Sequence, residues 1–188
     1  MKKTFQNLLL ASLVVSAPLA AEEYVKSLVG FEGGYGKLNV EHGTTPIEKT
    51  RINAGHGGIK IGAESRNVRI FLSANYLDGT KFDDGITYGA SLQYLLNFSD
   101  YVNFFAGPNL GMIDVRLIDD NRNGIKISKT YVGADAGFNI HLGKSADLEL
   151  GARYSHINAT KTLAGVNYEL KNHMTAFGSL IFKFNLEK

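Results

Sequence analysis

Residues 86–96 read ITYGASLQYLL, and an apolar or aromatic side chain occupies every second position of this stretch. The side chains between them are mostly small or polar. Side chains of a β-strand point alternately to its two faces, so this period of two predicts a strand with one face in an apolar medium. Seven other stretches alternate in the same way. They span about residues 26–40, 53–63, 67–77, 101–113, 130–142, 146–157 and 173–186.

The connections between these predicted strands alternate between short and long. Short turns are predicted at residues 64–67, 97–100 and 142–145, and longer polar loops at about residues 41–52, 77–85, 117–129 and 158–172. Most strands reach the roughly 9–11 residues that a tilted strand needs to cross a bilayer. Short turns on one side and long loops on the other are typical of outer-membrane barrels, with turns and termini in the periplasm. The sequence predicts an all-β fold: an eight-stranded antiparallel up-and-down transmembrane β-barrel, one domain over residues 22–188.

The first 21 residues have the three parts of a secretory signal peptide. Lys2 and Lys3 form a basic start, residues 8–15 form a short apolar core, and residues 17–21 are mostly small. We expect cleavage after Ala20 or Ala21. The apolar run is too short to span a bilayer as a helix. Export followed by a barrel predicts a location in the outer membrane of a Gram-negative bacterium.

Composition narrows the possible chemistry. The sequence contains no cysteine, which removes disulfides, thiolate chemistry and the usual zinc-site patterns. The full chain has 20 Lys and Arg against 18 Asp and Glu, and two of the lysines lie in the predicted signal peptide. The remainder therefore carries 18 residues of each sign, with no basic excess for binding nucleic acid. We expect no nucleic-acid partner and no cofactor.

The two predicted faces of the strands differ in composition. The outward face carries aromatic residues towards strand ends, where they are expected in the interface girdles beside lipid headgroups: Tyr35, Tyr76, Tyr88, Phe104, Tyr154, Phe182 and Phe184. The inward face carries charges of both signs: Glu32, Lys60, Arg69, Asp135, Glu149, Arg153 and Lys183. The interior of an eight-stranded barrel is just wide enough for side chains to fill. We therefore expect an interior salt-bridge network and no broad pore, because buried charges are costly unless paired.

The last predicted strand contains AFGSLIFKF at residues 176–184. This stretch resembles the C-terminal assembly signal of the small outer-membrane β-barrel family, of the OmpA transmembrane-domain, OmpX and opacity-protein kind. The resemblance covers residues 22–188. It implies a monomer that is inserted by the barrel assembly machinery and contacts outer-membrane lipid and lipopolysaccharide. Structural barrels and adhesins occur in this family, so it also implies a role in envelope integrity or in surface contact through the loops.

An enzymatic alternative rests on residues 153–159, RYSHINA. They are similar to the segment around the catalytic histidine of outer-membrane lipid A deacylases, which implies His156 as base and Glu169 as the acid. Ester hydrolysis also needs a nucleophile activated by that base. Asn158 stands where the family has serine, while Ser155 points to the opposite face and Thr160 lies in a predicted loop. We interpret His156 as a polar residue at headgroup level and keep a deacylase-like hydrolase as the alternative.

Two acidic patterns have simpler interpretations. Residues 119–124, DDNRNG, match the start of a calcium-binding loop, with Asp119, Asn121 and Asn123 as candidate metal ligands. Position twelve of that loop is Thr130 where a glutamate is needed, so a surface turn is the favoured interpretation. Asp147 and Glu149 share one strand face and could act as acid and base. We assign them to the interior network instead.

Two further possibilities concern the barrel as a whole. A narrow channel of low conductance would use the same interior charges. A soluble, lipocalin-like periplasmic barrel would also have eight up-and-down strands. The outward faces are apolar almost throughout, which disfavours the soluble barrel because water does not tolerate such a surface.

Overall fold

The computed structural model describes residues 25–43, 48–79, 82–118, 124–163 and 166–185. They form eight strands: β1 (Val25–Gly43), β2 (Glu48–Ser65), β3 (Val68–Gly79), β4 (Phe82–Asn97), β5 (Val102–Ile118), β6 (Gly124–His141), β7 (Ala146–Leu163) and β8 (Val166–Asn185). Each strand pairs antiparallel with the next, and β1 pairs with β8 to close the barrel. The predicted eight-stranded antiparallel barrel is confirmed. Among the described residues there is no helix with the length and apolar character of a membrane-spanning helix.

At one end of the barrel the strands are connected by tight turns. Only Arg66 and Asn67 separate β2 from β3, and the next turn is held by Ser99, whose Oγ accepts hydrogen bonds from the backbone N–H of Tyr101 and of Val102. Gly143, in the turn before β7, has φ of 146°, a conformation that side-chain-bearing residues rarely adopt. Strand β1 begins and β8 ends at this same end. We call it the turn end, and the opposite end the loop end.

The strands extend further than the sequence patterns predicted. The region predicted as a loop at residues 41–52 lies largely in strands, because β1 continues to Gly43 and β2 begins at Glu48. The predicted loops at residues 77–85, 117–129 and 158–172 are likewise largely strand. Thr160, predicted to lie in a loop, is a residue of β7. These loop boundaries were wrong.

The polarity of the two faces reverses near the loop end, which explains the error. Outward residues are apolar up to the level of Tyr35, Tyr76 and Tyr154, and beyond that level they become polar, as at Lys37 and Asp78. The inward residues beyond that level are apolar and buried. They form one cluster, which we call the rim core: Leu38, Val40, Ile52, Ala54, Leu77, Ile113, Val115, Ile127, Ile157, Ala159 and Leu170. The strands thus continue above the apolar belt as a short barrel with an apolar core and a polar outer surface.

A β-bulge marks this reversal on β8. Lys171 has no partner in the register of β8 with either neighbour: Leu170 and Asn172 pair with Val40 and Asn39 of β1, and the register with β7 also shifts there. A bulge inserts a residue and changes which face the following side chains occupy. Leu170 and His173 are accordingly both buried, although they are three positions apart.

Inward glycines make room for aromatic rings in the lower half of the barrel. A Cβ placed on Gly151 would lie 2.8 Å from Phe177 and 2.9 Å from Phe105 at the ends of their rings. We expect Gly151→Val to lower the free energy of unfolding by about 1–3 kcal/mol, the usual cost of overpacking. The measurement is urea unfolding in lipid vesicles, with the folded fraction read from the shift between unheated and boiled samples on a gel. The control is Gly57→Val, where an added Cβ meets nothing within 4 Å, and equal losses in the two variants would contradict the packing argument.

Candidate functional site

The lumen contains a continuous ladder of ion pairs, and its half nearest the turn end is organised around Arg69. Nη2 of Arg69 lies 2.9 Å from Asp147, Nη1 lies 3.4 Å from Glu149, and the guanidinium also binds Glu64. Lys183 bridges the same carboxylates, at 3.0 Å from Glu64 and 2.7 Å from Asp147. Strands β2, β3, β7 and β8 each contribute to this cluster. It joins the walls of the barrel across the lumen.

The other half of the ladder is organised around Glu32 of β1. Its carboxylate accepts from Nζ of Lys60 at 3.3 Å and from Nη1 of Arg153 at 2.8 Å. Lys60 also donates to Glu149 at 2.6 Å, which connects the two halves. Nε of Arg153 lies 3.0 Å from Asp135, whose carboxylate also accepts from Asn109. Every charged group in this half therefore meets an opposite charge.

Burial makes this pairing essential. The members are four cations (Lys60, Arg69, Arg153 and Lys183) and five carboxylates (Glu32, Glu64, Asp135, Asp147 and Glu149). His56 lies 3.2 Å from Glu32 and His141 lies 2.8 Å from Asp147. Nζ of Lys60 also lies 4.7 Å from the centre of the Phe71 ring. Charges removed from water are tolerable only when opposite charges and hydrogen bonds replace the lost hydration.

All seven interior charges named from the sequence lie in this ladder. Asp147, which was also assigned to the interior from the sequence, lies in the ladder too, whereas Glu64 was assigned to the predicted turn at residues 64–67 and was missed. The structure places it in β2, directly opposite Lys26 of β1 and Arg69 of β3. Glu64 lies four residues after Lys60 and so on the same face of the strand. Extending the predicted strand beyond residue 63 would have placed Glu64 on the inward face.

Within the part of the chain that the structure describes, side chains of the ladder and of the rim core pack across the lumen. At the turn end it opens into a mouth of about 570 Å³, lined by polar groups that include Lys26, Arg66 and Lys144. Further in, between the ladder and the rim core, lies a cavity of about 20 Å³ beside His173 and Asn75. A polar cavity of that size has room for about one water molecule. The arrangement is that of a plugged barrel.

The residues proposed for hydrolysis are not assembled. His156 is exposed on the outer surface, whereas Ser155 is buried in the interior at 3% exposure. Glu169 is held 2.6 Å from Nζ of Lys171, and Thr160 is exposed one register step beyond the bulge, opposite Glu169. Covalent hydrolysis requires a nucleophile within hydrogen-bond reach of its base. The described side chains, which do not include that of Asn158, show no such contact with His156.

Other predicted features lie outside the described residues. These are the signal peptide at residues 1–21 and the calcium-loop candidates Asp119, Asn121 and Asn123. Within the described ranges, no group of three or more His, Asp or Glu side chains is placed to hold a metal ion.

The aromatic residues predicted for the girdles all point away from the lumen. Tyr35, Tyr76, Tyr154 and Phe184 are among the exposed large side chains, and Phe182 is exposed at 37%. Tyr88 and Phe104 are half-buried among neighbours on the outer wall, Phe104 in an edge contact with Phe138 at 5.6 Å between ring centres. Tyrosines thus stand where the outer wall changes from apolar to polar towards the loop end.

Solved structures share this architecture at low sequence identity. Neisserial surface protein A is 15% identical, with a TM-score of 0.63 over 84% of this chain and 97% of that one. The N-terminal barrel of OprF from Pseudomonas aeruginosa is 14% identical, with a TM-score of 0.58 over 84% and 97%. OprH from the same species is 18% identical, with a TM-score of 0.54 over 86% and 99%. These likenesses concern the fold, and a search of curated protein sequences found no match.

A match to the sequence model of a protein family establishes the family of this chain. The model described as the outer membrane protein beta-barrel domain matches residues 8–179 of the 188. The match includes every strand except the end of β8. The predicted outer-membrane location is thereby confirmed, and so is the resemblance to small outer-membrane barrels. This chain belongs to the outer membrane protein beta-barrel family.

Proposed function

We propose that this protein is a closed structural barrel that supports the integrity of the outer membrane and presents the connections at its loop end for surface contact. The observation that carries the proposal is the filled lumen. The ion ladder joins opposite walls of the barrel, and the rim core packs apolar side chains across the lumen above it. A permeation path for ions needs a connected, hydrated passage, and neither layer provides one.

The ladder also supports a mechanical role. It ties β1 to β7 through Glu32 and Arg153, and β2 to β7 through Lys60 and Glu149. These strands are not neighbours in the sheet, so the contacts act across the barrel and add to the backbone pairing around it. A barrel braced in this way resists deformation in the bilayer. In this proposal the barrel assembly machinery inserts the protein as a monomer, and outer-membrane lipid and lipopolysaccharide surround the inserted barrel.

Planar bilayer recording tests whether the lumen is closed. We expect purified, refolded protein to give no steady single-channel openings in bilayers where a trimeric porin, the positive control, conducts. Regular openings at a fixed conductance would support the narrow channel instead.

Detergent sensitivity tests the role in envelope integrity. Cells that lack the protein should become more sensitive to detergent, and the wild-type gene should restore their resistance. Unchanged sensitivity would contradict the structural role.

Lipid A analysis tests the hydrolase alternative. We expect mass spectra of lipid A from cells with and without the protein to be the same, because His156 and Ser155 lie on opposite faces of β7. If the protein removes an acyl chain, the spectrum loses the mass of that chain. In that case His156→Ala should restore the full mass, and the non-enzymatic proposal would be rejected.

A further inference from the structure

The outer wall over β6, β7, β8 and β1 carries a groove. Ala136, Ala152 and Ala176 stand side by side in register on three adjacent strands, and all three are exposed. Larger side chains border them, including Tyr154 and Met174. The groove measures about 720 Å³ and is lined mostly by apolar atoms.

A second, polar groove continues the first towards the loop end. It measures about 460 Å³, and it shares Asn39, Arg51 and Tyr154 with the apolar groove. His156 and Lys171, the residue at the β-bulge, line its far side. The junction between the two grooves therefore lies at the level where the outer wall changes from apolar to polar.

Two exposed cations lie at this junction. Lys37 pairs in register with Asn53, and Arg51 pairs with Asn39, so the two side chains are diagonal neighbours on β1 and β2. Diagonal neighbours on one face of a sheet are about 7–8 Å apart. Both are exposed, and no described residue forms an ion pair or hydrogen bond with either. By contrast, Lys171 is already held by Glu169 at 2.6 Å and lies 3.8 Å from Glu41.

We propose that this face binds one phosphorylated glycolipid of the lipid A type. Its phosphate would lie between Lys37 and Arg51, and one of its acyl chains would lie along the alanine groove. The charges match, since an arginine guanidinium and a phosphate form strong paired hydrogen bonds. The level of the cations along the barrel axis also matches the level of a lipid phosphate in the membrane. Both cations lie just beyond Tyr35 and Tyr154 towards the loop end, where a headgroup meets its acyl chains. The loop end faces outward in barrels of this kind, which selects a lipid of the outer leaflet.

A second copy of the chain is a less suitable occupant. Two barrels that share a membrane stand parallel, so a symmetric contact through this face would bring Lys37 and Arg51 of both copies to the same height. Like charges that meet directly oppose association. An anionic lipid removes that repulsion.

Native mass spectrometry of the folded protein with added lipid A tests the proposal. We expect the wild type to retain one lipid A at saturation, and Lys37→Gln/Arg51→Gln to weaken this binding about tenfold or more. A second variant, Ala152→Leu, fills the groove and leaves both cations in place, and it should also weaken binding. The controls are Arg116→Gln/Lys126→Gln, exposed cations in register on β5 and β6 that both have interactions of their own, and Ala74→Leu on the opposite wall. Both controls should bind lipid A as the wild type does.

Three results would overturn the proposal. One is equal retention of lipid A by the wild type and by both groove variants. Another is retention of phosphatidylglycerol as strong as that of lipid A, which would mean a general anionic surface. The third is a dimer that Ala152→Leu dissociates, which would assign the face to a second copy. A gel comparison of unheated and boiled samples confirms that each variant is folded, and the closed-lumen proposal stands or falls separately on bilayer recording.

Discussion

Arg69→Met should lower the free energy of unfolding by about 3–5 kcal/mol, because it removes one partner of a buried ion-pair network. Arg69 is fully buried and contacts Glu64, Asp147 and Glu149. Methionine fills much of the same volume but leaves these carboxylates with less compensation. Urea unfolding in phosphatidylcholine vesicles measures the change, with the folded fraction read from the gel shift of unheated samples.

The control for this substitution lies three residues away. Arg66 is exposed in the turn between β2 and β3, so Arg66→Met should change the stability by no more than about 0.5 kcal/mol. Glu149→Gln should lower the free energy of unfolding less in the Arg69→Met variant than in the wild type. The reason is that Arg69→Met has already removed the guanidinium that the charged carboxylate of Glu149 pairs with. Such coupling is typically 0.5–3 kcal/mol for contacting residues, with roughly that range expected here. A loss below about 1 kcal/mol for Arg69→Met would show that water in the lumen replaces the guanidinium.

Leu170→Asp should disrupt the rim core while the belt below remains folded. Leu170 is fully buried in the rim core, where an unpaired carboxylate loses its hydration without compensation. Losses above about 4 kcal/mol come from this kind of change. Limited proteolysis of protein in vesicles is the measurement, and cleavage should become faster in the loop-end halves of the strands while a membrane-protected barrel fragment persists.

A neighbouring position provides the control for the rim. Thr160 of β7 pairs in register with Glu169, next to Leu170, and its side chain is exposed, so Thr160→Asp adds the same charge without burying it. Its cleavage pattern should match that of the wild type. Leu170→Ala should be cleaved at a rate between those of Leu170→Asp and Thr160→Asp. The cavity that it leaves should lower the free energy of unfolding by about 2–5 kcal/mol. If Leu170→Asp and the wild type are cleaved alike, the rim core does not hold the loop end together.

The rim core explains why the strands extend beyond the ends that the sequence pattern predicts. The pattern at residues 86–96 has apolar side chains facing outward, and the same rule was applied to the whole chain. Beyond Tyr35 the rule reverses, since Leu38 and Val40 point inward and Lys37 points outward. Polar residues beyond the predicted strand ends, such as Glu41 and Asp78, then look like loop residues. The alternation itself never stops, so a search for alternation of either sign would have extended β1 and its neighbours.

For the ladder, the sequence predicts which face of a strand each charged side chain occupies, but it does not predict which charges pair. Parity along a strand is a local property, and it placed Lys60, Arg69 and Glu149 on the inward side without any tertiary information. Their pairing is not local: Lys60 meets Glu149, which is 89 positions away, and Arg153 meets Glu32, which is 121 positions away. Those meetings depend on the register and tilt of strands on opposite walls, which no single strand encodes.

The sequence alone determined the eight alternating strands, the face of each central side chain, the short turns and the membrane-facing belt. These properties follow from the period of two in a β-strand and from the apolarity that lipid demands. Only the tertiary structure decided the partners of the interior charges, the apolar rim core, the bulge at Lys171 and the groove beside Lys37 and Arg51. Each of these arises from closing the barrel, because closure brings distant strands to one height and so decides which side chains meet.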